Sequence, residues 1–139
     1  MSDTDLVKLY SGQILALAAD IPHLGRLEAP QGTARKRSPL CGSTVTVDVV
    51  LQDGRVTEFA QDVRACALGQ AAAAVLGQGV IGRDLAQLLA TRAGLAAMLA
   101  GGAPVDGYHV LVPAREYKNR HASILLPLDA TIEAVQAAQ

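Results

Sequence analysis

Aromatic side chains are nearly absent: one Phe, three Tyr and no Trp stand in 139 residues. The core must therefore be built from Leu, Val, Ile and Ala, and a stacking platform for single-stranded nucleic acid is excluded. A charge excess is also missing. Twelve Lys and Arg meet thirteen Asp and Glu, for a net charge of −1, which excludes a global basic field for DNA or RNA. The one local run, Arg35-Lys36-Arg37, reads either as a solvated loop or as a docking patch for an acidic partner. No long apolar run exists, because the stretch from Cys66 to Ile81 is broken by Gly69, Gln70, Gly77, Gln78 and Gly79. That is too short and too polar for a membrane span. The beginning, Met1-Ser2-Asp3-Thr4-Asp5, has no basic n-region, so no secretory signal and a cytoplasmic location are expected. Thiols stay reduced there. Two cysteines then suggest a metal site, a reactive thiol or simple packing ahead of a structural disulfide. Finally there is no CxxC, no HExxH, no Gly-rich phosphate loop and no nucleophile elbow. Ser43 or Ser123 beside a histidine does not amount to a hydrolase, and a non-enzyme is expected.

What is present has a clear order. Residues 4–19 show helical spacing through Leu6, Leu9, Tyr10, Ile14 and Leu17, with Thr4 or Asp5 as a cap and Pro22 as the stop. His23–Glu28 follows a turn and reads as a first, edge strand. Ala29–Thr33 is a turn, and Ala34–Ser38 an extended stretch. Ser43–Leu51 is the clearest strand, rich in Val and Thr and alternating. Asp53-Gly54 is a hairpin signal, and Val56–Val63 returns as the partner. Simple alternation puts Val56, Glu58, Ala60 and Asp62 on one face of it, and Thr57, Phe59, Gln61 and Val63 on the other.

From Cys66 the period becomes helical. One helix of small residues runs to about Gly77, and a second from about Asp84 to Ala100, where Gly101-Gly102-Ala103-Pro104 ends it. Tyr108–Pro113 is apolar and fits a strand or a packed loop. Ala114–Arg120 is charged and expected to be exposed. A last helix should begin near Pro127, a good first-turn residue, and reach Ala138. The order predicts an α+β fold, a small antiparallel sheet of about three strands with helices packed on one face. No repeat or linker divides it, so residues 1–139 are expected to form one domain.

The two cysteines each sit beside a structural break. Cys66 opens a helix, where unpaired N–H groups and the positive end of the dipole favour thiolate. Arg64 should act in the same direction. The alternative is that Cys66 is a small buried residue like the alanines after it. Cys41 lies in Pro39-Leu40-Cys41-Gly42-Ser43, a tight loop common both at ligand sites and as a plain turn. His23 and His109 read as structural. His121, after Arg120 and before the last helix, is expected to be partly exposed and able to bind a ligand.

The run Pro22-His23-Leu24-Gly25-Arg26-Leu27, then Ser38-Pro39-Leu40-Cys41-Gly42-Ser43, a hairpin, Arg64-Ala65-Cys66-Ala67, and finally Arg120-His121-Ala122-Ser123-Ile124-Leu125-Leu126-Pro127 resembles the IscU/SufU/NifU-type iron–sulfur cluster scaffold family. The order of the segments over nearly the whole chain carries this likeness. It implies a SufE/NifU-like α+β scaffold whose loops converge at one end. It further implies an iron–sulfur cluster assembly scaffold or carrier that binds iron or a [2Fe–2S] cluster. Cys41 and Cys66 match the first two cysteine ligands, and His121 matches a position that is a ligand in some members. The implied partners are a cysteine desulfurase and other iron–sulfur assembly proteins, with no nucleic acid and no membrane; homo-oligomerisation stays open.

The chain departs from the family pattern at the third cysteine, which is Ala122, and at the aspartate after Cys-Gly, which is Ser43. It also has Ala114-Arg115-Glu116-Tyr117-Lys118 near the place of a chaperone-binding motif, and no room for the SufU insertion. Clusters are usually held by four protein ligands, mostly thiolates. Here Cys41, Cys66 and His121 remain, with Ser43 as a weak oxygen donor. Zn²⁺ could instead take the two thiolates, the imidazole and a water, with Zn–S near ~2.3 Å. The alternative function is thus a zinc-binding or metal-free regulatory domain of the same fold that binds a desulfurase or another assembly partner. A thiol redox pair of Cys41 and Cys66 lacks the spacing of a redox motif.

Overall fold

The computed structural model describes residues 12–40 and 42–139. Its centre is the Val-rich segment Ser43–Gln52, strand β2, which pairs antiparallel with β1 (Gly32–Ser38) on one side and β3 (Arg55–Arg64) on the other. Val45, Val47 and Val49 are fully buried on one face, as the alternation of a strand requires. The β2–β3 turn is the Asp53-Gly54 pair, at φ 54° and 76°. Positive φ at both centres matches the right-handed twist of a hairpin.

Two strand expectations are corrected. The edge strand is Gly32–Ser38, and His23–Glu28 is not a strand. His23 and Gly25 take φ of 60° and 122°, which an extended strand does not permit. Only Leu24 bridges, parallel to Gln61 of β3. The faces of β3 also differ from simple alternation. The register shifts between Val50 and Leu51, so that Val50 opposes Glu58 and Leu51 opposes Val56. This bulge leaves Thr57 as the extra residue and turns Val56 to the same face as Phe59, Gln61 and Val63. Val56 and Phe59 are both buried, which satisfies the core at the cost of one unpaired residue.

The helices cover the apolar face. α1 (Gly12–Ala18) packs on α2 (Ala67–Gly79), and the 18-residue α4 (His121–Ala138) crosses β1 and β2 while touching α2 and α3 (Leu85–Leu99). Of the helix expected over 4–19, the stretch Gly12–Ala18 is seen as α1; residues 4–11, with the expected cap at Thr4 or Asp5, lie outside the described residues. Gly32 admits α4, because a Cβ there would collide with the Ala134 carbonyl. α3 starts as expected, with Asp84 and Gln87 forming a reciprocal capping box. Tyr108–Glu116 is a 3₁₀ helix, neither strand nor loop. No described helix is long and apolar enough to cross a membrane.

α4 begins at His121, six residues before the expected start, and Pro127 lies inside it. Proline cannot donate to the carbonyl four residues earlier, which is that of Ser123. A proline that fits a first turn is thus used as an interior break, and the segment expected to lead into the helix is its first turn.

The outer face of the sheet is held by a buried charge. Asp48 is fully buried. It accepts from Arg26 Nε at 2.6 Å and Nη2 at 3.1 Å, from the Leu27 N–H at 3.1 Å and from Thr33 Oγ1 at 2.6 Å. Burial pushes this carboxyl up, but those donors together hold it below the usual carboxylate range. The cluster pins the segment around Arg26 across the sheet.

Candidate functional site

Three chain segments meet at one end of the fold: the start of β2, the start of α2 and the start of α4. Cys66 is the N-cap of α2, with extended backbone at φ −65° and ψ 169°. As a neutral thiol it makes no capping hydrogen bond. The thiolate is another matter. Burial pushes the thiol up, yet the Gly69 N–H, the Ser123 hydroxyl, the Leu68 N–H and the Arg120 guanidinium outweigh it and draw it below its ordinary value. These are the groups that a helix N-terminus leaves without partners, joined by two side chains from the beginning of α4. Cys66 is half-buried and not in a disulfide.

Ser123 links the segments. Its Oγ lies 2.6 Å from Ser43 Oγ in a buried hydrogen bond, and its hydroxyl also serves the Cys66 thiolate. Gly69 lets the helices approach, since a Cβ there would stand 3.2 Å from the Ser123 carbonyl oxygen and 2.8 Å from Ala65 Cβ. The N-terminus of α2 thus faces the thiol with its dipole, and α4 adds a hydroxyl and a guanidinium from its start.

Of the residues read from sequence, Cys66 and Ser43 are brought together through Ser123. Ser43 Oγ is already engaged, and neither serine pairs with a histidine. Cys41 lies outside the described residues. The flanking chain leaves β1 at Ser38 and enters β2 at Ser43, which are Cα partners. His121 is half-buried at the first position of α4, and its Nε2–H donates to the Ala114 carbonyl at 3.0 Å. That leaves Nδ1 as the nitrogen with a free lone pair. Among the described residues no three His, Cys, Asp or Glu side chains gather as a metal-binding group. His23 is structural, edge-on to Phe59 at 5.9 Å between ring centroids.

The cation beside Cys66 is Arg120, where Arg64 was expected. Arg64 points outward, with its side chain 81% exposed and 4.0 Å from Asp62. Ser123 and Arg120 carry the site's electrostatics; the sequence placed the Arg120–Ser123 stretch at the site through His121 but gave neither of these two a role there. With the helix expected at Pro127, Ser123 stood in a connecting segment. The available signal was the Arg-His-Ala-Ser stretch ahead of an apolar run, which is also how a helix start reads.

The chain matches the model of the NifU-like N terminal domain over residues 9–119. Among solved structures it is similar to the N-terminal region of a nitrogen-fixing NifU-like protein from Brucella abortus, at 40% identity and a TM-score of 0.90, covering 96% of each chain. It is also similar in fold to a protein from Fervidobacterium islandicum assigned as an iron–sulfur cluster assembly scaffold of the SUF system. There the identity is 19% and the TM-score 0.81, over 93% of this chain and 98% of the other. A hypothetical protein has the same fold at 18% identity and a TM-score of 0.83, over 94% and 98% of the two chains. No match was found among curated protein sequences. With the family model matching residues 9–119 and a relative at 40% identity over nearly the whole chain, the chain belongs to the NifU-like N-terminal domain family.

Proposed function

We propose that this protein assembles or carries an iron–sulfur cluster as cargo, bound through Cys41 and Cys66 with His121 as a third ligand. The observation that carries the reading is the environment of Cys66. A thiol that one helix N-terminus, a hydroxyl and a guanidinium hold toward its anionic form is suited to ligate iron, because the thiolate is the ligand. His121 suits the role by its second nitrogen: a ligating imidazole commonly donates its other N–H to a carbonyl, and Ala114 supplies one. Cys41 stands two residues before Ser43, whose hydroxyl meets Ser123 beside the thiol. A cysteine desulfurase is the partner that would supply sulfur, together with other assembly proteins. Cluster formation after anaerobic reconstitution with iron and sulfide tests this. The wild type should develop visible absorbance, and Cys66→Ala and Cys41→Ala should lose it. No cluster in the wild type, with or without a desulfurase, would sink the proposal.

A second reading is supported by the Ser43–Ser123 bond. It occupies both hydroxyls at the place where the family resemblance puts an aspartate ligand. On this reading the same fold holds Zn²⁺ or no metal and binds a desulfurase or another assembly partner. Partner binding that survives in Cys41→Ser/Cys66→Ser favours it; complete loss counts against it.

A further inference from the structure

The outer face of the sheet carries an arginine-lined groove that the proposed cargo site does not use. The register defines it. Arg37, Thr44 and Arg64 stand in one row across the three strands, and Arg35, Thr46 and Asp62 stand in the next. Alternation puts Arg35 and Arg37 on the same face. Lys36 goes to the opposite face and pairs with Glu133 at 3.2 Å. Strands lie about 4.8 Å apart, so β1 and β3 raise arginines on two walls with the Thr44 and Thr46 hydroxyls as the floor between them. The groove encloses about 430 Å³ between Arg35 and Arg64, and Arg37 stands beside it in the Thr44 row.

Its cations are unevenly committed. Arg26, which also lines the groove, is taken by Asp48 at 2.6 Å. Arg64 reaches Asp62 only at 4.0 Å. Arg35 and Arg37 are exposed and make no hydrogen bond or ion pair with any described residue. Four arginines face Asp48 and Asp62 on this patch, an excess of positive charge in a chain whose net charge is −1.

We propose that this groove docks an acidic, extended segment of a partner protein. Arg35 and Arg37 are two residues apart on a strand, roughly 6.6 Å, and alternate side chains of a second extended chain repeat at the same interval. A carboxylate at every other position therefore meets successive arginines in the fork geometry that guanidinium favours. The arginines are exposed, so each single pair contributes little. An extended segment engages both walls at once, which a small anion cannot do. Arg64 stands two residues before Cys66, and Arg37 leads into the Ser38–Ser43 turn. A docked segment thus holds its protein beside the Cys66 end. That the partner acts there rests on the function proposed above; the docking itself does not.

The test uses a fluorescein-labelled octapeptide of alternating Glu and Thr, followed by anisotropy at low salt. The wild type should bind it, more weakly as salt rises. Arg35→Glu/Arg37→Glu should weaken binding by about tenfold or more, and Arg64→Glu alone should weaken it in the same direction. Lys36→Ala, on the other face, should stay within about twofold of wild type. No wild-type binding, or equal loss in Lys36→Ala, overturns the proposal. So does full displacement by millimolar inorganic phosphate, which would mark a small-anion site, or tighter binding of a single-stranded DNA oligomer through the same arginines. Circular dichroism verifies that the charge-reversed variants fold. Reconstitution separates the two hypotheses: Cys66→Ala should lose the cluster and keep the peptide, and Arg35→Glu/Arg37→Glu should do the reverse.

Discussion

The first two helices after the sheet, α2 and α3, begin in opposite ways. α3 starts at Asp84, whose carboxylate accepts from the Gln87 N–H at 2.8 Å while the Gln87 side chain returns to the Asp84 N–H at 3.1 Å. The donors there are consumed by the chain itself. α2 starts at Cys66, which makes no capping hydrogen bond as a thiol. Its first N–H groups are instead aimed at the sulfur, where they act once it is charged. A helix closed by its own side chains serves the fold, whereas one whose first turn is left to a half-buried thiol is free to serve a ligand. The difference is one of chemistry, because both N-caps have extended backbone, with ψ of 174° and 169°.

Three substitutions break or sharpen that contrast. Asp84→Ala should cost about 1 kcal/mol of stability in urea unfolding, the usual loss for a removed cap, and leave cluster loading intact. A loss of loading would mean that α3 is not merely structural. Ser123→Ala removes a donor from the Cys66 thiolate. The pH profile of its alkylation should shift to higher pH, with slower reaction near neutrality. An unmoved midpoint would show that Ser123 serves only Ser43. Cys66→Ser installs a better cap and should change stability by only a few tenths of a kcal/mol, while abolishing loading.

That last variant also removes a pH dependence. The folded state lowers the Cys66 thiol below its ordinary value. It therefore gains stability as pH rises from the folded value toward the unfolded one, near about 8.5. The gain is complete above the unfolded value and is lost as pH falls through the folded one. Unfolding free energies of the wild type should show this rise in the apo-protein, and those of Cys66→Ser should not.

Much of this was legible in the chain. Ser43–Leu51 and Val56–Val63 declare themselves as a hairpin, because Val and Thr alternate on both sides of Asp53-Gly54, and the observed strands extend them by a residue or two. Asp84 announces α3. Cys66 as the head of a helix is readable from the change of period. Less legible were the places where two segments compete for one role. His23–Glu28 read as the edge strand and Ala34–Ser38 only as an extended stretch, but positive φ at His23 and Gly25 excludes the former. The β3 bulge cannot be read locally either, since it exists to turn Val56 and Phe59 to the same side. Pro127 misled because the same residue suits a first turn and, where packing supports the helix, an interior break.

The amino-acid sequence alone determined the elements and their order, the aliphatic core and the presence of a thiol at a helix start. Those properties depend on period, propensity and capping, which act over a few residues. Only the tertiary structure decided what surrounds the thiol and which way the basic run faces. Ser43, Cys66 and Ser123 are joined across the chain by the packing of α4 on α2, with Gly69 permitting the approach. Lys36 meets Glu133 and Arg35 and Arg37 are left facing out because α4 packs on that one face of β1. Both outcomes depend on contacts between residues distant in sequence, which no local pattern encodes.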